Sequence, residues 1–208
     1  MAQTLTISKV TRVHGRANLT LSTGETLSMP RAMLKERPYR GGMPFDRASH
    51  TAFIRDRSYP FALDKAVSLL ALRARTEKEI RDSLRLCAYP EETIERVMAR
   101  LGEAGYLNDA DFAVSWSASR LSKGMGARRI SQELSRKGVD RETISAAIDE
   151  LDEDDVFASA MKTARKAASG KDLASPSDRQ KITAALLRRG FDYGIVRRAL
   201  DTLRSGED

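Results

Sequence analysis

The chain repeats itself at intervals of about fifty residues, and this constrains its fold more than any other feature. Ile80, Leu84, Ala88, Ile94, Met98 and Leu101 recur fifty residues on as Ile130, Leu134, Gly138, Ile144, Ile148 and Leu151. A further step of fifty-two residues gives Ile182, Leu186, Gly190, Val196, Leu200 and Leu203. Five of the six columns are aliphatic throughout. The third holds Ala88, Gly138 and Gly190. Apolar residues four apart, then a small residue, then apolar residues four and three apart read as helix, tight turn, helix. Glycine in the third column suits a helix that closes in the left-handed conformation. Ala88 must either bear the steric cost of that conformation or use a different turn.

Other signals mark the helix starts. Thr76-Glu77-Lys78-Glu79 is a capping box. Asp140 and Asp192 are predicted N-caps. Pro90 suits the first turn of its helix, and Ser175-Pro176, followed by Asp178, pairs a cap with proline at the first helical position. A further helix precedes each pair, over Leu63 to Arg73, Asp111 to Leu121 and Val156 to Ala167. A short helix pair buries one apolar stripe and is marginal alone. A third helix gives that stripe a partner.

The expected fold class is therefore all-α: three tandem three-helix repeats forming an elongated, curved array. The repeats are placed at 61–107, 108–151 and 152–204, with a tail over 205–208. Residues 1–60 read as a small β-containing N-terminal extension. Leu5 and Ile7, then Leu19 and Leu21, alternate with polar residues, and Ser22-Thr23-Gly24-Glu25 turns the chain before Thr26-Leu27, predicting a hairpin or three-stranded meander. Pro30 opens a short helix over Ala32 to Leu34, Gly41-Gly42 breaks the chain, Asp46 caps a helix reaching Phe53 and Ile54, and Pro60 is read as its boundary.

The formal net charge of +7 is unevenly spread. Residues 1–60 hold ten Lys/Arg and four Asp/Glu, residues 61–151 fifteen of each, and residues 156–204 eleven against four. The basic ends favour an acidic partner, either nucleic acid or an acidic protein surface. Candidate contacts read from charge are Arg128, Arg129, Lys137, Lys162, Arg165, Lys166, Arg188, Arg189, Arg197 and Arg198. Cations at a helix C-terminus also complement the helix dipole, which accounts for Arg136, Lys137, Arg188 and Arg189 without a ligand. It does not account for the excess over the whole last repeat.

No catalytic, metal-binding or cofactor-binding set is expected. His14 and His50 are the two histidines, and the single Cys87 is read as a small core residue. Lys123-Gly124-Met125-Gly126-Ala127-Arg128-Arg129 approaches a phosphate-cradling loop but follows no strand, so it reads first as a connection between two helices. Asp152 to Asp155 read as a dipole-favoured helix start, and Phe112 with Trp116 as core. No window reaches the roughly 18 apolar residues of a membrane span. Met1 to Val10 contain no apolar leader core, and a monomer in the cytoplasm is expected.

Several stretches resemble the RecX family, regulators of the RecA recombinase. Ala71 to Ile80 (ALRARTEKEI) is similar to the family's opening. Gly105-Tyr106-Leu107-Asn108-Asp109 with Phe112-Ala113 resembles its central signature. Gly126 to Ile130, with Glu133-Leu134 and Lys137-Gly138-Val139, resembles the next, and Leu186 to Phe191 the last. The resemblance covers roughly 61–204. Ala88 departs from the family's turn glycine, and residues 1–60 match only loosely. The resemblance implies three three-helix repeats and a partner, the RecA–DNA filament. It also implies restraint of recombination, DNA repair and the SOS response through lowered RecA ATPase, strand-exchange and co-protease activity. Rival readings are a stand-alone helix-turn-helix-like DNA-binding protein, with Arg197, Arg198 and Arg204 on the last helix but few base-reading amides, and a helical scaffold. An enzyme is the weakest reading.

Overall fold

The computed structural model describes residues 5–206. The first four residues, part of the stretch read for a leader, and the last two of the tail lie outside the described residues. The chain forms two compact units, one up to Asn108 and one from Asp109 onward.

The first unit begins with an antiparallel meander of β1 (Ile7–Val13), β2 (Arg16–Leu21) and β3 (Thr26–Pro30). His14 and Gly15, both at positive φ, make the two-residue turn that matches strand twist. Ala17, Leu19 and Leu21 alternate inward from β2 and meet Ile7, Met29 and Met33. Pro30 precedes a 3-10 helix over Arg31–Lys35.

Helix α1 (Arg47–Leu72) then runs unbroken through Pro60, so the predicted boundary is corrected. Asp46 does cap it, accepting from the Ser49 N–H. Proline removes the hydrogen bond to the Asp56 carbonyl, but Pro60 faces solvent, where water can satisfy that group. Packing holds the helix on both sides of the defect. Phe53 and Ile54 lie against the sheet core, Ala62 and Ala66 are buried in the next cluster, and Phe61 touches both.

α1 packs with α2 (Glu77–Leu86) and α3 (Glu91–Glu103) around Ile80, Leu84, Ile94, Val97 and Leu101. Thr76 accepts from the Glu79 N–H, as the capping box requires. Pro90 stands one place earlier than predicted, at the N-cap of α3.

The second unit holds two further triplets: α4 (Asp109–Ser122), α5 (Ala127–Arg136) and α6 (Arg141–Asp149), then α7 (Glu153–Ala168), α8 (Pro176–Arg188) and α9 (Tyr193–Ser205). Ile130, Leu134 and Ile144 are buried in one cluster, and Ile182, Leu186 and Val196 in the other. Asp140 and Asp192 cap α6 and α9. The Thr143 hydroxyl and amide also hold the Asp140 carboxyl below its usual range. Ser175 occupies the cap position of α8, but its side chain makes no capping bond.

The turn of the third column is the same in every repeat. The N–H groups of Tyr89, Val139 and Phe191 reach back to the carbonyls of Leu84, Leu134 and Leu186 at 3.2, 3.2 and 3.3 Å. This closes each helix with a residue in the left-handed region and a buried apolar residue after it. Gly138 and Gly190 have φ of 88° and 90°, and Ala88 adopts the same form at 64°. Repeat one therefore keeps the turn and bears the strain.

Candidate functional site

The glycine-containing connection before α5 lies against the turn of the third repeat. The Gly126 N–H donates to the Arg189 carbonyl at 2.9 Å, and the Arg128 N–H to the Gly190 carbonyl at 3.1 Å. A Cβ on Gly126 would fall 2.4–2.5 Å from the backbone of Gly190 and Phe191. A Cβ on Gly190 would fall 2.4 Å from the Arg129 nitrogen. Only glycine at both places lets the two backbones meet. The start of a helix leaves N–H groups without intrahelical partners. At α5, two amides that a phosphate would use are taken by carbonyls of the chain itself. The phosphate-cradle reading of residues 123–129 is thereby replaced by a seam between repeats two and three.

The seam draws in more of the chain. The Arg189 guanidinium donates back to the Lys123 carbonyl at 3.2 Å. Gly124, at φ 76°, lies beside Thr163 of α7, and the Ser159 hydroxyl donates to the Leu121 carbonyl at 2.6 Å. The backbone contacts bring Arg128 and Arg129 beside Arg188 and Arg189, pairs sixty residues apart in sequence. All four are exposed, as is Lys123. The acid among them is Glu133, which lies 3.5 Å from Arg129 and 2.8 Å from Arg120. Much of the positive charge of this strip is thus uncompensated.

The other predicted contacts are not part of the strip. Lys137 sits over Trp116 at 4.3 Å and Phe112 at 5.4 Å, and Arg120 covers Trp116 at 4.0 Å. Phe112 and Trp116 stack at 5.5 Å, with Phe112 buried and Trp116 half-buried, so the pair belongs to the packing of repeat two. Lys162, Arg165 and Lys166 are exposed on α7, the last two in its final turn, where they complement the helix dipole. Arg197 lies 3.9 Å from Asp201, and Arg198 lies 3.9 Å over the Phe157 ring. Arg120 is not among the residues singled out from the sequence, and Lys123 reads there only as part of the 123–129 connection, not as a contact. The place of Lys123 in the strip was hidden because nothing local shows that residues 123–126 meet residues 189–191.

The fold and this strip define a protein of tandem three-helix domains with a basic seam between the second and third. Three family models match in chain order: RecX, first three-helix domain, over residues 62–101; RecX, second three-helix domain, over 108–148; and RecX, third three-helix domain, over 153–200. Regulatory protein RecX of Amycolatopsis mediterranei is 34% identical over 143 residues, which are 68% of this chain and 82% of that protein. Regulatory protein RecX of Bacillus velezensis is 32% identical over 142 residues, 67% of this chain and 54% of that longer protein. A crystal structure of regulatory protein RecX aligns over 95% of this chain and 99% of its own at a TM-score of 0.65 and 22% identity. That of RecX from Lactobacillus salivarius covers 71% of this chain and 97% of its own at 0.65 and 24%. The chain belongs to the RecX family, whose members are named as regulatory proteins.

Proposed function

We propose that this chain is a negative regulator of the RecA recombinase. It binds in the groove of the RecA–DNA filament, blocks filament extension or promotes disassembly, and so lowers ATPase, strand-exchange and co-protease activity. In the cell this restrains homologous recombination and the SOS response. The protein works as a monomer in the cytoplasm, without a cofactor. The observation that carries the reading is the match of all three RecX domains, in order, over most of the chain.

The seam supplies the physical means. Arg128, Arg129, Arg188 and Arg189 present an exposed basic strip on rigid elements, and a nucleoprotein filament is polyanionic. Long-range attraction steers the encounter and weakens as salt screens it. The remaining predicted cations, Lys137, Lys162, Arg165, Lys166, Arg197 and Arg198, flank this contact in the proposal.

The test is to titrate the purified chain, below one copy per recombinase, into RecA on single-stranded DNA and follow ATP hydrolysis. A progressive fall in hydrolysis is expected. Undiminished hydrolysis at every dose overturns the reading. Tight, sequence-dependent binding to naked duplex without recombinase would instead support a stand-alone helix-turn-helix-like DNA-binding protein.

A further inference from the structure

We propose that the N-terminal unit carries a second binding site, a basic groove for single-stranded nucleic acid, built where the β-meander docks on α1 and the turn between α2 and α3. The groove has a volume of about 570 Å³. Arg12, Arg31, Lys35 and Lys65 line it, together with Phe61 and a single carboxylate, Asp64.

The first sixty residues hold four acids, and each is committed elsewhere. Glu25 pairs with Arg47, Glu36 with Arg57 at 3.0 Å, and Asp56 with Arg55 at 2.7 Å, while Asp46 caps α1. Among the described residues, Arg12, Arg31, Lys35 and Lys65 form no ion pair. They come from a strand, a 3-10 helix and α1, yet they face one groove. A folded chain places like charges together without counter-ions at a cost in self-repulsion. Such an arrangement is what an anionic ligand would use.

The groove is preformed. The Arg31 N–H donates to the Gly15 carbonyl at 2.9 Å, fixing the 3-10 helix to the hairpin tip. A Cβ on Gly15 would fall 2.6 Å from the Cys87 sulfur, so the tip sits directly on the α2–α3 turn. Arg12 pairs with Ala17 across the strands, on the face that turns toward the core and the groove. Burial pushes the Cys87 thiol up, consistent with a structural contact there.

The lining of the groove selects the ligand. The floor is apolar and aromatic, with Phe61 and Leu34 half-buried in it. A duplex presents a convex, phosphate-lined surface that neither enters such a groove nor needs such a floor. A single strand fits both features, because its backbone follows the cations while a base lies on the apolar surface. Three of the four cations, Arg12, Arg31 and Lys35, precede the first matched RecX domain, which begins at residue 62, while Asp64, Lys65 and the α2–α3 turn lie within it. The groove shares no residue with the seam between repeats two and three.

The test uses the full chain and fluorescein-labelled oligothymidylate, with no recombinase present. Four phosphate contacts give a salt slope of about −2.8, so raising salt fourfold should weaken binding roughly fiftyfold. R12E/R31E/K35E should abolish measurable binding at moderate salt, while R128E/R188E at the seam should leave it intact. A reversed pattern, or unchanged binding by the triple variant, overturns the proposal. A measurement on the unaltered protein guards against misfolding: acetylation of Lys35 and Lys65 should slow at least severalfold on adding the oligonucleotide, with exposed Lys78 unchanged. Equal acetylation rates overturn the proposal as well. Displacement of the oligonucleotide by polyglutamate at equal charge concentration would assign the groove to an acidic protein segment instead.

Discussion

Gly126 and Gly190 meet backbone to backbone, so closely that a Cβ on the first would lie 2.5 Å from the carbonyl carbon of the second. The contact joins repeats two and three and sets the basic strip. Gly190 also has φ 90°, which L-residues avoid, whereas Gly126 has φ −84°, which any residue adopts. The two effects can be separated. Gly24, at φ 86° with open space around its Cβ position, reports conformational strain alone. Gly24→Ala should cost about 1–2 kcal/mol. Gly126→Ala should cost about 1–3 kcal/mol from steric overlap alone. Gly190→Ala combines both and should cost roughly 2–4 kcal/mol. Urea unfolding measures each value, and faster amide exchange at Gly126 and Arg128 would show that the seam has parted. Equal losses for Gly24→Ala and Gly190→Ala would mean that the close approach contributes nothing.

Ala88 holds the place of Gly138 and Gly190 with φ 64°. The left-handed conformation costs an alanine about 1–2 kcal/mol, while glycine brings extra unfolded-state entropy of about 0.4–1 kcal/mol. Ala88→Gly should therefore stabilise the protein by about 0.5–1 kcal/mol, seen as a higher urea midpoint with unchanged slope. A destabilised variant would show that the alanine methyl packs productively in repeat one.

Pro60→Ala should raise stability by about 1–3 kcal/mol, because an exposed proline inside a helix forfeits a hydrogen bond and crowds the preceding turn. Unchanged circular dichroism should accompany the higher midpoint. Loss of stability would mean that Pro60 itself helps to seat Phe53 and Phe61 on their two clusters.

These residues also show where the sequence was legible. The columns through Ile130, Leu134 and Ile144 were readable because helical periodicity is a local record of a buried face. The caps at Asp140 and Asp192 were readable because a carboxylate three residues before an amide acts within one turn. Pro60 misled because its signal is local too, whereas the helix is held by contacts with two separate clusters. The arginine pairs were visible as charge. Their convergence depends on Gly126 meeting Gly190, and neither glycine's neighbourhood names its partner. The groove was hidden for the same reason: Arg12, Arg31 and Lys65 share nothing in sequence.

His50 makes stability depend on pH. It is buried, and its Nδ1 lies 2.9 Å from the Tyr39 hydroxyl. Burial, and then the nearby Arg37 charge, lower its pKa from the ordinary 6.5. A depressed base takes up its proton more readily in the unfolded chain, so the contribution is fully present above pH 6.5 and declines as the pH falls below it. The slope cannot exceed about 1.4 kcal/mol per pH unit. Urea midpoints at pH 7.5 and 5.5 should differ more for the parent than for His50→Gln. Identical differences would show that His50 does not titrate on unfolding in this range.

Arg188 and Arg189 are adjacent and exposed, yet they should behave differently. The Arg189 guanidinium ties the seam to the Lys123 carbonyl, while Arg188, among the described residues, forms no ion pair. Arg188→Glu should leave stability within about 0.5 kcal/mol of the parent. Arg189→Glu should lose about 0.5–1.5 kcal/mol with its hydrogen bond. On the proposed function, both should weaken inhibition of RecA ATP hydrolysis. R128E/R188E, which spares the structural bond, should weaken it by on the order of tenfold at low salt, because reversing surface charges slows a steered encounter. The difference should shrink as salt rises and screens the strip. Parent-like inhibition by R128E/R188E at low salt would remove the seam from the contact surface, leaving family membership untouched and directing the search to the cations of α7 and α9.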